Sequence, residues 1–123
     1  MEVFLEQINI DLKRYSFLNK SLLLEIKNYA NSLKEEESCG LIIESDIVEF
    51  LPCENLSEQK HVHFLIDSKI LIENKVLCVY HSHVNSGPFP SEMDKLFSNE
   101  LCIPFLIYSL SEDSFFVYEN VGV

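Results

Sequence analysis

Apolar and polar positions along this chain switch between a helical and a strand period, and the switches mark its elements. Leu22, Leu23, Ile26, Tyr29, Ala30 and Leu33 recur at the spacing of one helical face, with Asn19 or Ser21 placed to cap it. The acidic run Glu35-Glu36-Glu37 follows. Cys39-Gly40-Leu41-Ile42-Ile43 reads as the start of a buried strand, and Ile47-Val48-Glu49-Phe50-Leu51 as its hairpin partner, ended by Pro52. Residues 54–60 are polar and loop-like. His63-Phe64-Leu65-Ile66 is a short extended run leading to Asp67, and Ser68 to Asn74 suit a short helix.

Lys75 to Tyr80 is apolar almost throughout, the pattern of a strand buried on both faces, and it delivers His81 at its C-terminal end. Residues 85–90 form a turn-rich loop with Gly87, Pro88 and Pro90. Ser91 to Glu100 reads as a helix. Ile103 to Tyr108 and Phe115 to Tyr118 read as strands joined by the polar turn Ser111-Glu112-Asp113. Val3, Leu5, Ile8 and Ile10 fit neither period, so residues 1–18 are set apart as an amino-terminal arm of unassigned structure, before a domain over 19–123. The order helix, strands, helix, strands predicts a mixed α/β domain on a central sheet.

The chain has 123 residues, enough for one core, and its 47% apolar content argues against disorder. Nine basic against twenty acidic residues give a net charge of -11. That balance disfavours nucleic acid and anionic membranes as partners. Cys39, Cys53, Cys78 and Cys102 are widely spaced, without a C-x-x-C pair, and Cys78 and Cys102 lie in apolar segments. Buried free thiols in a reducing compartment are expected. With no basic start before an apolar stretch and no membrane-length apolar run, a cytoplasmic protein is expected.

The candidate chemistry lies in His81-Ser82-His83, followed by Ser91 and Asp94. On a strand the two imidazoles point to one side. Asp94 falls in the first turn of the next helix, and the seven residues between His83 and Ser91 are enough to fold that helix back. Two His and one Asp can hold a zinc ion and leave a position open for water. Amide hydrolysis then needs a proton carrier, and Glu37 is the candidate, ahead of Glu35 and Glu36 through its spacing to Cys39-Gly40. Ser91 offers a hydroxyl for the oxyanion. Taken alone, Ser91-x-x-Asp94 is better read as a helix capping box or a first-turn acid, and His81-x-His83 as two structural or surface histidines; the conjunction of all five positions with the Pro-rich loop between them tips the balance. A second pair, His61-Val62-His63, follows a polar loop, has no acid at a ligand-like distance in a helix start, and reads as structural or solvent-exposed, with metal binding the minor alternative.

These residues resemble the signature of the JAMM family of zinc metallopeptidases, also called MPN-plus or JAB domains. The signature is an upstream Glu, His-x-His, seven residues, Ser, two residues and Asp. Glu37-Ser38-Cys39-Gly40-Leu41 and His63-Phe64-Leu65-Ile66-Asp67 are similar to segments of its compact prokaryotic branch, so the likeness spans about residues 19–118. Within that branch the chain looks most like the amino-terminal JAMM domain of the tail-assembly proteins of long-tailed phages. Those proteins usually continue into a cysteine-peptidase domain, which is not expected within these residues. One departure is Val84, where the family commonly has Pro after the second His.

The resemblance implies a cytidine-deaminase-like three-layer fold, a curved mixed sheet between helices. It implies zinc on His81, His83 and Asp94, with Glu37 and Ser91 catalytic. The implied reaction is hydrolysis of an amide in a protein or peptide, with the C-terminus of a ubiquitin-like domain or a phage tail protein as candidate substrates. The site of action is then the cytoplasm, or that of a phage host. Deaminase chemistry is not expected, because His-x-Glu with Pro-Cys-x-x-Cys is missing. Two alternatives stand beside it: a catalytically silent MPN-type scaffold, and a cysteine hydrolase using Cys39.

Overall fold

The computed structural model describes residues 8–11 and 13–120. Val3 and Leu5 lie outside the described residues. The helical face seen in the sequence forms α1 (Lys20–Ser32), whose N-cap is Asn19: its side chain accepts from the Leu22 amide. Leu33 stands one residue past the helix, as its C-cap.

Among the described residues, six strands form one mixed sheet: β1 (Ile8–Asn9), β2 (Cys39–Glu44), β3 (Val48–Cys53), β4 (Val76–His83), β5 (Phe105–Ser109) and β6 (Ser114–Tyr118). Their order is β1-β6-β5-β4-β2-β3. β4 and β5 pair in parallel at the centre, and β1 pairs in parallel with β6; the other pairs are antiparallel. Two further helices are α2 (Ser68–Glu73) and α3 (Glu92–Leu101). His63 to Ile66 lies against the sheet without joining it.

Side chains alternate across the sheet, and each face carries its own core. One face packs Ile42, Phe50, Cys78, Tyr80, Leu106, Tyr108 and Phe115 against Leu18, Leu22, Leu23, Ile26 and Ala30. The other packs Cys39, Leu41, Ile43, Cys53, Val79 and Phe105 against Ile66, with Phe64, Ile70 and Leu71 beside them. α3 stands over this second face, with Phe97 and Leu101, both exposed, lining a cavity of about 240 Å³ together with Val79 and Phe105. The chain is therefore a mixed sheet flanked by helices.

Two expectations need correcting. Pro52 does not end β3: it pairs with Gly40 inside the strand. β3 is the edge of the sheet, where a missing N–H is tolerated. Cys39, Cys53 and Cys78 are buried free thiols, but Cys102 is exposed. It caps α3 in the left-handed region at φ 56°, which turns the chain out of the helix there.

Candidate metal centre

β4 is longer than its apolar run and carries both imidazoles within its ladder. Its alternation places Val79, His81 and His83 on the face covered by α3. The route from β4 to its parallel neighbour β5 passes through loop 84–91 and α3, so the carboxyl end of β4 meets the start of that helix. Ser91 is the N-cap of α3. Its Oγ accepts from the Asp94 amide at 3.0 Å, and Asp94 Oδ2 accepts from the Ser91 amide at 2.9 Å. The capping box is thus present, and it turns the carboxylate of Asp94 inward. Asp94 Oδ2 lies 3.1 Å from Nε2 of His81 and 3.1 Å from Nε2 of His83, and the two nitrogens are 3.3 Å apart. Asp94 belongs both to the cap and to the candidate ligand set.

The surroundings fix which atoms face one another. His83 Nδ1 is 2.8 Å from the Gly87 carbonyl. A carbonyl only accepts, so Nδ1 carries the proton and Nε2 is left for Asp94 and His81. His81 is fully buried, stacked on Phe64 at 4.3 Å with Phe105 at its edge, and its Nδ1 finds no partner. Burial drives His81 toward its neutral form. Burial pushes His83 the same way, but its hydrogen bonds to Asp94 and Gly87 and the nearby carboxylates outweigh it, and its pKa rises. Burial would raise the Asp94 carboxyl, yet hydrogen bonds from both imidazoles hold it well below the usual carboxylate range. Three close ligand atoms around one point need a shared proton or a cation between them, so this buried group is able to hold a metal ion.

Glu37 arrives from the other side. Cys39 pairs with His81 in the β2–β4 ladder, which carries residue 37 past the end of β2 toward His83. Ser38 locks that register: its amide donates to Ser82 Oγ, its carbonyl accepts from the Ser82 amide, and its Oγ meets the Tyr80 hydroxyl at 2.6 Å. Asn55, 2% exposed, holds the backbone of residue 37 from the loop side. Its Nδ2 donates to the carbonyls of Glu37 and His63, and its Oδ1 accepts from the amides of Ser57 and Leu65. Glu37 is 7% exposed, and burial pushes its carboxyl up to about 8. Glu37, His83, Ser91 and Asp94 line one cavity of about 560 Å³, walled by Val62, Phe64, Leu65, Met93 and Phe97.

Residues 19–118 match the family model described as prokaryotic homologs of the JAB domain. The chain belongs to this family. Among curated relatives of this JAB domain, it is 32% identical over 81 residues to the tail tip assembly protein K of Escherichia phage N15. That match covers 62% of this chain and 33% of the phage protein, so the chain spans about a third of that relative. Two solved structures share the JAB-domain fold. A Desulfitobacterium hafniense protein solved in solution superposes with a TM-score of 0.61 at 22% identity, covering 82% of this chain and 88% of its own. The crystal structure of a JAB1/MPN domain protein from Archaeoglobus fulgidus gives 0.57 at 24% identity, covering 80% and 83%.

The structure of this JAB domain brings together all five residues singled out in the sequence. Ser91 is exposed at the cavity rim, and the other four are buried. His61 and His63 are exposed and also line the cavity, but neither joins the ligand cluster. Cys39 has the setting of a structural thiol, fully buried, with burial pushing its pKa up to about 12. Sequence reasoning missed Asn55, Phe64 and the Ser38–Ser82 pair. Asn55 is one polar residue in a polar loop, and its partners lie up to 18 positions away. No helix among the described residues is long and apolar enough to cross a membrane.

Proposed function

We propose that this JAB domain is a zinc-dependent peptidase or isopeptidase that hydrolyses an amide bond in a protein or peptide. The observation that carries this reading is the convergence of His81, His83 and Asp94 on one point, with Glu37 on the same cavity. The donor set fits zinc. Ligand atoms 2.0–2.1 Å from a tetrahedral zinc lie roughly 3.3 Å apart, and the three separations here are 3.1, 3.1 and 3.3 Å. Among the described residues no fourth His, Cys, Asp or Glu joins the cluster, which leaves room for water and substrate. When bound, zinc supplies a water whose pKa drops from 15.7 to about 7, and polarises the carbonyl to be attacked.

Glu37 is the proton carrier. Its carboxylate takes a proton as the water oxygen bonds to the carbonyl carbon, and returns it to the nitrogen as the carbon–nitrogen bond breaks. Its apolar setting raises the carboxyl, and a bound cation beside it would oppose that rise by favouring the carboxylate that accepts the proton. Ser91 Oγ already accepts from the Asp94 amide, so its own proton is directed elsewhere and can stabilise the oxyanion. The apolar walls of the cavity suit an extended peptide. The candidate substrates are the C-terminus of a ubiquitin-like domain and, given the phage relative, a tail protein processed in the host cytoplasm.

The test is elemental analysis of protein purified without chelator, then incubation with candidate ubiquitin-like and phage tail proteins read by intact mass. One zinc per chain and cleavage that stops on chelation are expected, with Glu37→Gln keeping zinc but not cleavage. Zinc-loaded chain that cleaves nothing favours the silent scaffold, and a chain that takes up no zinc sinks the proposal.

A further inference from the structure

We propose that Ser109 is a positioning residue for the metal centre, acting through loop 84–91 on the orientation of His83. The inference rests on the metal-centre reading above and extends it to a residue outside the signature. Ser109 ends β5, opposite His83 in the parallel ladder, and is fully buried. A buried hydroxyl at a strand end needs partners. Its Oγ donates to the Ser86 carbonyl at 2.7 Å and accepts from the Glu112 amide at 3.1 Å. Ser111 Oγ approaches the same Ser86 carbonyl at 3.3 Å, and the Leu110 amide donates to the His83 carbonyl at 3.0 Å. The turn between β5 and β6 thus grips the metal-site loop at both ends of the segment 83–86.

The next carbonyl along, that of Gly87, accepts from His83 Nδ1. Fixing Ser86 therefore fixes the acceptor that keeps Nδ1 protonated and Nε2 aimed at Asp94. Gly87 also lies close to Glu112, whose carboxylate oxygen would be 3.0 Å from a Cβ at that position. Val84 gives the loop no ring constraint after His83. The hydroxyl bonds from the β5–β6 turn supply the constraint.

Partners that orient a metal-ligating His typically contribute 10–100-fold to metal affinity. The test is zinc affinity by chelator competition on the full chain, for wild type, Ser109→Ala and Ser109→Thr, with unfolding of each metal-free protein as the structural control. Ser109→Ala is expected to bind zinc about tenfold more weakly, while Ser109→Thr, which keeps the hydroxyl, stays close to wild type. A folded Ser109→Ala chain with wild-type zinc affinity overturns the inference and leaves the metal centre standing. Wild-type chain that binds no zinc removes the metal-centre reading instead. Should Ser109→Ala not fold, a crystal structure of zinc-loaded wild type decides: Nε2 ligation with Ser109 on the Ser86 carbonyl supports the inference, and Nδ1 ligation overturns it.

Discussion

Replacing Glu37 by Gln should stabilise the metal-free chain while removing the proposed proton carrier. The ordinary carboxyl value of 4.5 is pushed up to about 8, first by burial, with the Asp94 charge adding and His83 opposing. Between those values the folded chain binds more protons than the unfolded chain, so stability falls as pH rises through the window. Below pH 4.5 both states are protonated and Glu37 costs nothing; above pH 8 the full penalty applies. A gap of roughly 3.5 pH units, at about 1.4 kcal/mol each, corresponds to about 5 kcal/mol. Denatured-state structure and relaxation trim such figures, so about 3–5 kcal/mol is expected. Glutamine keeps the shape and carries no charge. The difference between the two chains should therefore be near zero at pH 4.5 and largest at pH 8. The attraction between Glu37 and His83 is part of that difference, because each shifts the other, whereas groups not coupled to Glu37 cancel. Urea unfolding in chelator, at one-unit pH steps and followed by circular dichroism because the chain has no Trp, measures it. Parallel stability profiles for the two chains, with a difference below about 1 kcal/mol at pH 8, would refute the reasoning.

Gly40→Ala should destabilise the sheet by about 2–3 kcal/mol, because a Cβ there would meet the Leu51 carbonyl oxygen and Phe50 Cε1 at 2.6 Å; the urea midpoint reports it. Asn55→Ala breaks four hydrogen bonds shorter than 3.2 Å around a buried carboxamide. It should cost about 2–4 kcal/mol and speed amide exchange at Glu37, whose N–H donates to the Lys60 carbonyl; unchanged exchange would show that Asn55 does not hold that segment. Ser91→Ala should lower stability by about 1 kcal/mol through the lost cap and lower kcat by about 100-fold or more through the lost oxyanion donor. Thermal unfolding and steady-state kinetics separate the two effects.

The candidate ligand set was legible because it sits at the junction of two clear periods. The apolar run of β4 fixes the direction in which His81 and His83 point, and the Ser91-to-Asp94 spacing fixes the first turn of α3. The limits are equally physical. Whether a proline ends a strand depends on whether that strand is an edge, which neighbours in space decide, so Pro52 misled. Cys102 lies among apolar residues, but the left-handed cap after α3 turns outward there. Ser109 and Asn55 act through partners 23 and 18 positions away, and nothing in their own surroundings distinguishes them from other polar loop and strand-end residues.

The double use of Asp94 has a consequence for how such sites decay. A lineage that gave up the metal would still need an acid at this position to start α3, and a serine before it. Those two residues would outlast the activity. His81 has no such second employment: its Nδ1 is unpartnered, and an apolar side chain of similar volume would fill the space beneath Phe64 as well. On the proposed reading, position 81 is therefore expected to change before Ser91 and Asp94 in relatives that no longer hold a metal.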